Sequence, residues 1–93
     1  MTESAEKYWN RISPDKASEF AQTDPEFTEF FTNFAYDEVV SQDDLDDRTR
    51  MMAILSALLG CQGIDEYKAM LPGALNLGVT PVEVKEIVYQ ACA

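Results

Sequence analysis

The stretch DDRTRMMAILSALL, residues 46–59, decides the fold of this chain. Its second half is apolar on every side of a helix, and its opening aspartates lie where they complement the positive N-terminal end of that helix. A helix that is apolar all round must be covered all round. We therefore predict a central helix over residues 46–59, with part of its cover supplied by another subunit.

Helix start and stop signals lie on both sides of this stretch. Three capping residues each precede a proline, which suits the first helical position because an N–H there would have no partner within the helix. The three pairs are Ser13-Pro14, Asp24-Pro25 and Thr80-Pro81. Glu83 completes a capping box with Thr80, and Gly78 is placed to end the preceding helix. Together with the apolar periodicity, these signals predict helices over residues 4–12, 14–21, 24–40 and 64–77 and from residue 81 onward.

The predicted helix over residues 24–40 has a strongly apolar face, which we expect to be a core face. That face carries Phe27, Phe30, Phe31 and Phe34. Pro72 is expected to kink or interrupt the helix over residues 64–77, because proline donates no backbone hydrogen bond. No stretch alternates with period two, so the predicted fold class is all-α, a compact bundle of five or six helices.

Length and charge limit the function classes further. A chain of 93 residues is one domain, here residues 1–93, and its 7 basic against 17 acidic residues give a net charge of −10. Such a charge repels a nucleic-acid backbone, so we expect no nucleic-acid partner. We expect no membrane partner either, because the longest nearly uncharged stretch, residues 51–64, is shorter than the roughly 20 residues that span a bilayer. Two cysteines and no secretory signal pattern predict a cytoplasmic protein.

Histidine is absent, which removes imidazole as a general base and as a metal ligand. The acidic link over residues 41–47 lacks the glycine and the terminal glutamate of a calcium-binding loop. It is interpreted as helix capping and solvation, and we expect no bound metal and no cofactor.

Three motifs carry a resemblance to a known family. They are LDDRTR at residues 45–50, GALNLGVTPVEVKEI at residues 73–87, and Tyr36-Asp37-Glu38, an aromatic-x-Glu element. From about Phe27 to the C-terminus the chain resembles the carboxymuconolactone decarboxylase family, which shares its all-α fold with alkylhydroperoxidase D. The resemblance implies a homo-oligomer, commonly a trimer or hexamer, with sites at subunit boundaries.

The resemblance also divides the chain. Residues 1–23 are predicted to be N-terminal helices and residues 24–93 the family core. Family domains usually continue with another helix beyond the point that matches Ala93, so the resemblance implies a core truncated at its C-terminus.

Peroxidase-type relatives use a glutamate, a Cys-x-x-Cys pair and a histidine. The positions of these residues fall here on Met51, on Gly63 and Glu66, and on Met70. The peroxidase relay is therefore absent. Decarboxylase-type relatives need no thiol, but they commonly carry histidine at the position of Met70, whose thioether cannot transfer protons.

Decarboxylation of a carboxylated lactone needs cations to hold the anion and an acid to protonate the carbanion. The candidate acids are Glu66 and Glu38, with Tyr67 beside them, and the candidate anion holders are Arg48 and Arg50. Each has an alternative role. Glu38 is interpreted as a buried acid with a raised pKa, as a solvated group, or as a partner of Arg48 or Arg50. The arginines either bind substrate or hold the preceding acidic link.

Three functions follow from these candidates. The first is a decarboxylase or proton-transfer enzyme acting on a small carboxylated lactone or carbonyl compound. The second is a thiol peroxidase that uses Cys61, although the preferred interpretation of Cys61 is a small buried hydrophobic residue. The third is a non-catalytic oligomeric module that binds a small ligand or a protein partner, which the missing histidine and Cys-x-x-Cys pair favour.

Overall fold

The computed structural model describes residues 1–13, 20–42 and 44–93, and within these ranges it contains helices and no strand. The all-α prediction is confirmed. The predicted helix over residues 14–21 lies largely outside the described residues. The chain divides into two compact units, Met1–Asp44 and Leu45–Ala93, which are described in turn. That residues 1–93 form a single family domain stays a prediction.

The first unit contains three α-helices, followed by a π-helical segment, which is wider than an α-helix, and a 3₁₀ turn, which is tighter. They are α1 (Glu3–Ile12), α2 (Phe20–Thr23), α3 (Pro25–Asn33), a π-helical segment (Phe34–Val39) and a 3₁₀ turn (Val40–Gln42). Asp24 caps α3 by accepting the backbone N–H of Phe27 at 3.0 Å, with Pro25 at the first helical position. The segment predicted as one helix over residues 24–40 is helical, but it changes from α to π geometry at Phe34.

Thr2 fastens the start of α1 to the end of α3 and to the π-helical segment. Its side chain caps α1 by accepting the N–H of Ala5 at 3.2 Å, and its hydroxyl donates to Asp37 Oδ2 at 2.7 Å. Its own backbone N–H donates to Asn33 Oδ1 at 2.8 Å. These bonds hold the π-helical segment next to α1.

The expectation that the phenylalanines of α3 form a core face is wrong. Phe27, Phe30 and Phe31 of α3 are exposed, and so is Phe34 directly after it, whereas Thr28 and Thr32 of α3 are buried. The threonine hydroxyls are satisfied within the helix, because Thr28 donates to the Asp24 carbonyl and Thr32 to the Thr28 carbonyl, both at 2.8 Å. Their burial therefore leaves no unpaired hydroxyl, and α3 presents its larger apolar side chains to solvent.

The second unit consists of three helices whose bounds match the sequence predictions closely. They are α4 (Asp47–Gly60), α5 (Ile64–Asn76) and α6 (Pro81–Cys92). Asp46 caps α4 through the N–H of Thr49 at 2.7 Å, and Thr80 forms the predicted capping box with Glu83. Gly78 follows α5 with φ of +102°, a left-handed conformation that favours glycine at the end of a helix.

Pro72 does not interrupt α5, since the α-helix is continuous from Ile64 to Asn76. That Pro72 kinks the helix stays a prediction. Proline removes one backbone donor, and the next two residues, Gly73 and Ala74, are buried.

The core of the second unit lies where α4 packs against α5 and α6. Its buried residues are Met51, Leu55, Ala74, Val79 and Ile87. In the apolar half of α4, the exposed residues are small, namely Ala53, Ser56, Ala57 and Gly60, whereas Met52, Ile54, Leu58 and Leu59 are partly buried. That another subunit covers part of this helix stays a prediction. None of the helices in the described ranges has the length and apolar character needed to cross a bilayer.

Candidate functional site

The predicted site residues of the second unit lie at opposite ends of α4. Arg48 and Arg50 are in its first turn, whereas Glu66 and Tyr67 are in the first turn of α5, which starts just after α4 ends. The helix rises about 1.5 Å per residue, so Arg50 and Gly60 are separated by about 15 Å along its axis. The arginines and Glu66 are therefore not brought together within this unit.

Arg48 is held by Glu83 at the start of α6. Its Nε donates to Glu83 Oε1 at 3.2 Å, and its Nη2 forms an ion pair with Glu83 Oε2. Glu83 Oε1 also accepts the backbone N–H of Thr80 at 3.0 Å as part of the capping box. Half of the Arg48 side chain is nevertheless accessible. Arg48 thus links two helix starts while remaining open to a ligand.

Arg50 is tied to the segment that leads into α4. Its Nη1 donates to Asp47 Oδ1 at 2.9 Å and its Nη2 to the carbonyl of Leu45 at 2.8 Å. Only 14% of its side chain is accessible. These are the contacts expected from the alternative interpretation, in which arginine holds the acidic link.

Asp46 sets the electrostatics at the start of α4. The backbone N–H of Thr49 donates to its carboxylate, and this hydrogen bond, assisted by the side chain of Thr49 and weakly by Arg48 and Arg50, lowers the pKa of Asp46. An ionised carboxylate at this position also complements the positive end of the helix.

The other end of α4 carries Cys61, which is exposed rather than buried as a small hydrophobic residue. Its backbone N–H caps the helix by donating to the Ala57 carbonyl at 3.0 Å, and its Sγ lies 3.5 Å from the Leu58 carbonyl as a weak donor. A Cβ at Gly63 would come within 3.6 Å of this sulfur. Glycine at that position therefore leaves one side of the thiol more open.

Glu66 and Tyr67 are neighbours in sequence but differ in environment. Glu66 is exposed at the start of α5, whereas Tyr67 is half-buried and packs against the core of the second unit. The orientation of the phenol is thus fixed by packing, and the carboxylate of Glu66 faces solvent.

Glu38 belongs to the first unit and lies in the π-helical segment. The interpretation of Glu38 as a buried acid is wrong, because the residue is exposed. The reason is the exposed face of α3, which leaves the adjoining helical turn uncovered as well. Glu38 lines a shallow, open depression together with Phe34, Asp37, Val39, Ser41 and Gln42.

Tyr36, the aromatic residue of the Tyr-Asp-Glu motif, lies in a cluster of aromatic rings. Its ring lies 5.9 Å from that of Tyr8, 5.6 Å from that of Trp9 and 5.9 Å from that of Phe31, measured between centroids. Burial in this cluster, and to a smaller extent the neighbouring Tyr8, raises the pKa of Tyr36. The Tyr-Asp-Glu motif was the only sequence signal for this position.

Among the described residues, no group of three or more Cys, Asp, Glu or His side chains is arranged to hold a metal ion.

The family model for the carboxymuconolactone decarboxylase family matches residues 25–93 of this chain. The chain belongs to the carboxymuconolactone decarboxylase family. It is also 35% identical over 83 residues to a 4-carboxymuconolactone decarboxylase of Acinetobacter baylyi, an alignment that covers 89% of this chain and 59% of the relative. The chain therefore spans about three-fifths of the length of that relative. No solved structure matches it.

Proposed function

We propose that this family member catalyses decarboxylation, or a related proton transfer, on a small carboxylated lactone or carbonyl compound. The observation that carries the proposal is the similarity to a 4-carboxymuconolactone decarboxylase along 89% of the chain. The family match, over residues 25–93, includes all of the candidate site residues. A cytoplasmic location is part of the proposal.

Arg48 is the proposed anion holder. Its guanidinium already binds the carboxylate of Glu83 through two nitrogens. Half of the Arg48 side chain remains accessible. A substrate carboxylate can use the same two-point geometry, either beside Glu83 or in its place. Arg50 is far less accessible and holds Asp47 and Leu45, so its proposed role is to position the start of α4.

Glu66 is the proposed proton donor, and Tyr67 is a proposed polar neighbour of the reacting group. Glu66 is exposed on the first turn of α5, where its carboxyl group is accessible to a bound molecule. Glu38, exposed in the first unit, is the second candidate acid. Either acid would deliver a proton to the carbon from which carbon dioxide departs.

The distance along α4 has a consequence for assembly. Because Arg48 and Glu66 lie near opposite ends of this helix, one copy of the second unit cannot place both on the same small molecule. We therefore propose that the site forms between subunits of a homo-oligomer, with Arg48 from one copy and Glu66 from another. A trimer or a hexamer has this head-to-tail character.

The test is release of carbon dioxide from a carboxylated lactone by the purified protein. Glu66→Gln should reduce the turnover at least about tenfold, the loss expected when a general acid is removed. Asp65→Asn, a change at the neighbouring exposed acid, serves as the matched control and should leave the turnover unchanged. Glu38→Gln tests the second candidate in the same assay. No carbon dioxide release, or equal turnover in the Glu66 and Glu38 variants and the wild type, would contradict the proposal.

No contact among the described residues and no comparison with a known protein favours the two alternative functions. A thiol peroxidase needs an activated thiol, and the residues at the relay positions, Met51, Gly63, Glu66 and Met70, include no second thiol and no imidazole. Peroxide consumption that is abolished by Cys61→Ser would revive that alternative. A non-catalytic module would bind a carboxylated lactone without converting it.

A further inference from the structure

The exposed apolar side of α3 takes no part in the proposed chemistry. Here it is named the α3 face, and it consists of Phe27, Phe30, Phe31 and Phe34, which are 56%, 69%, 48% and 59% exposed. Val39, also exposed, adjoins it at the end of the π-helical segment.

The four rings of the α3 face form a stripe without charge, which is bordered at Phe34 by Asp37 and Glu38. At about 100° per residue, its four rings fall within one side of the helix, and Glu29, the charged residue between them, points to the opposite side. Phe27 and Phe31 stack on each other with centroids 6.3 Å apart. The spacing of i, i+3, i+4 and i+7 is that of a helix which packs along another helix.

We infer that the α3 face is covered by the α3 face of a second copy of this chain, with the two helices antiparallel about a two-fold axis near Phe30 and Phe31. Since all four members of the stripe are phenylalanine, the stripe is complementary to itself when reversed, so that Phe27 of one copy faces Phe34 of the other. Such a contact is isologous and closed.

The exposed area is sufficient for this contact. With about 200 Å² for a fully exposed phenylalanine, the four rings expose about 450 Å² in each copy. Two copies can together bury up to about 900 Å² of these rings, or up to about 1,000 Å² with the adjoining Val39, which is the size at which specific protein interfaces begin. For a lone chain, the same patch is near the upper end of what a soluble monomer exposes.

Charge distinguishes a second copy from a basic partner. Each copy carries a net charge of −10, so copies repel each other except where the uncharged stripes meet. Added salt screens this repulsion and should strengthen the association, whereas it would weaken binding of a basic protein. The inference concerns which surface associates, and a catalytically inert chain would associate in the same way.

The first experiment is sedimentation velocity on a dilution series of the whole chain at low and at high salt. The wild type should form dimers or larger species containing them at micromolar concentration, and more of them at high salt. Phe30→Glu, which places two like charges near the axis, should raise the dissociation constant at least about tenfold, equivalent to about 1.4 kcal/mol. Val82→Glu is the matched control, because Val82 is 70% exposed on α6 of the other unit, and it should change nothing.

A covalent trap gives a second readout that does not depend on the stability of Phe30→Glu. In a Cys61→Ser, Cys92→Ser background, Phe30→Cys should form a disulfide-linked dimer on mild oxidation, and Val82→Cys should not. A wild type that is monomeric at micromolar concentration, as expected if the second unit of the same chain or a different protein covers the stripe, would overturn the inference. An oligomer that neither responds to Phe30→Glu nor yields the Phe30→Cys dimer would overturn it equally.

Discussion

Glu83 joins the first turn of α6 to the first turn of α4, because its Oε1 accepts both the Thr80 backbone N–H at 3.0 Å and Arg48 Nε at 3.2 Å. One oxygen thus serves a capping box and a contact between helices. The role proposed for Arg48 depends on this arrangement, since Glu83 holds the guanidinium in place while half of the arginine side chain stays accessible.

Replacing Glu83 by alanine should lower the free energy of unfolding by about 1–2 kcal/mol, because the cap and the ion pair are lost together. Glu83→Gln keeps an acceptor for the Thr80 N–H and should cost about half as much or less, since an ion pair at a half-exposed arginine contributes little. Urea unfolding measures both values. Glu86→Ala, on an exposed position of the same helix, is the control, and equal losses in Glu83→Ala and Glu86→Ala would show that the shared oxygen stabilises nothing.

The carboxylate of Asp46 should make the stability of the second unit depend on acid. Its pKa is lowered in the folded chain from the ordinary value of 3.8, chiefly by the hydrogen bond from the Thr49 N–H. The stabilisation is therefore complete above the unfolded pKa and is lost as the pH falls below 3.8 through the folded pKa. Asp46→Asn keeps a capping acceptor but should flatten this acid dependence in unfolding curves. Asp65→Asn should not, and an unchanged slope in Asp46→Asn would contradict the assignment.

Two glycines provide a matched pair for the ends of α4 and α5. Gly78 has φ of +102°, so Gly78→Ala should cost about 1–2 kcal/mol of stability. Gly60 is helical, and a Cβ added there would have no atom within 4 Å. Gly60→Ala should therefore be neutral or stabilising by up to about 1 kcal/mol. Thermal unfolding of both variants gives the comparison. A loss in Gly60→Ala as large as that in Gly78→Ala would mean that the left-handed conformation is not what requires glycine.

The helix ends were predictable because their signals are local. Asp46, Thr80 and Gly78 act on backbone groups within a few residues of themselves, and the structure places the caps and the stop where the sequence predicts them. Burial was less predictable, since it depends on which elements pack on which face. The same periodicity that correctly predicted α3 as a helix wrongly assigned its phenylalanines to the core, because periodicity identifies an apolar face but not what covers it.

In the candidate site too, local features were predictable from the sequence and contacts set by packing were not. The chemistry of decarboxylation indicates acids and arginines as candidate residues. Sequence spacing does not show that Arg48 is held by Glu83, a residue 35 positions further on. Nor could it show that Tyr36 is enclosed by Tyr8 and Trp9 from the opening helix. Long-range contacts of this kind are set by packing, and only the short Tyr-Asp-Glu motif marked the position in advance.

Tyr36 should titrate above the ordinary tyrosine value of 10.0, because burial in the aromatic cluster disfavours the phenolate. An alkaline titration followed by tyrosinate absorbance should therefore contain a phase above that value, to which Tyr36 contributes. A raised folded pKa means that the corresponding stability is complete below the unfolded pKa and is lost as the pH rises through the folded value.

Tyr36→Phe retains the ring and removes the ionisable group, so it should reduce the late phase and make unfolding less sensitive to alkali. Tyr89→Phe, a change at an exposed tyrosine of α6, is the control and should leave the late phase unchanged. If the late phase kept its full amplitude in Tyr36→Phe, the cluster formed by Tyr8, Trp9 and Phe31 would not be shielding this phenol from water.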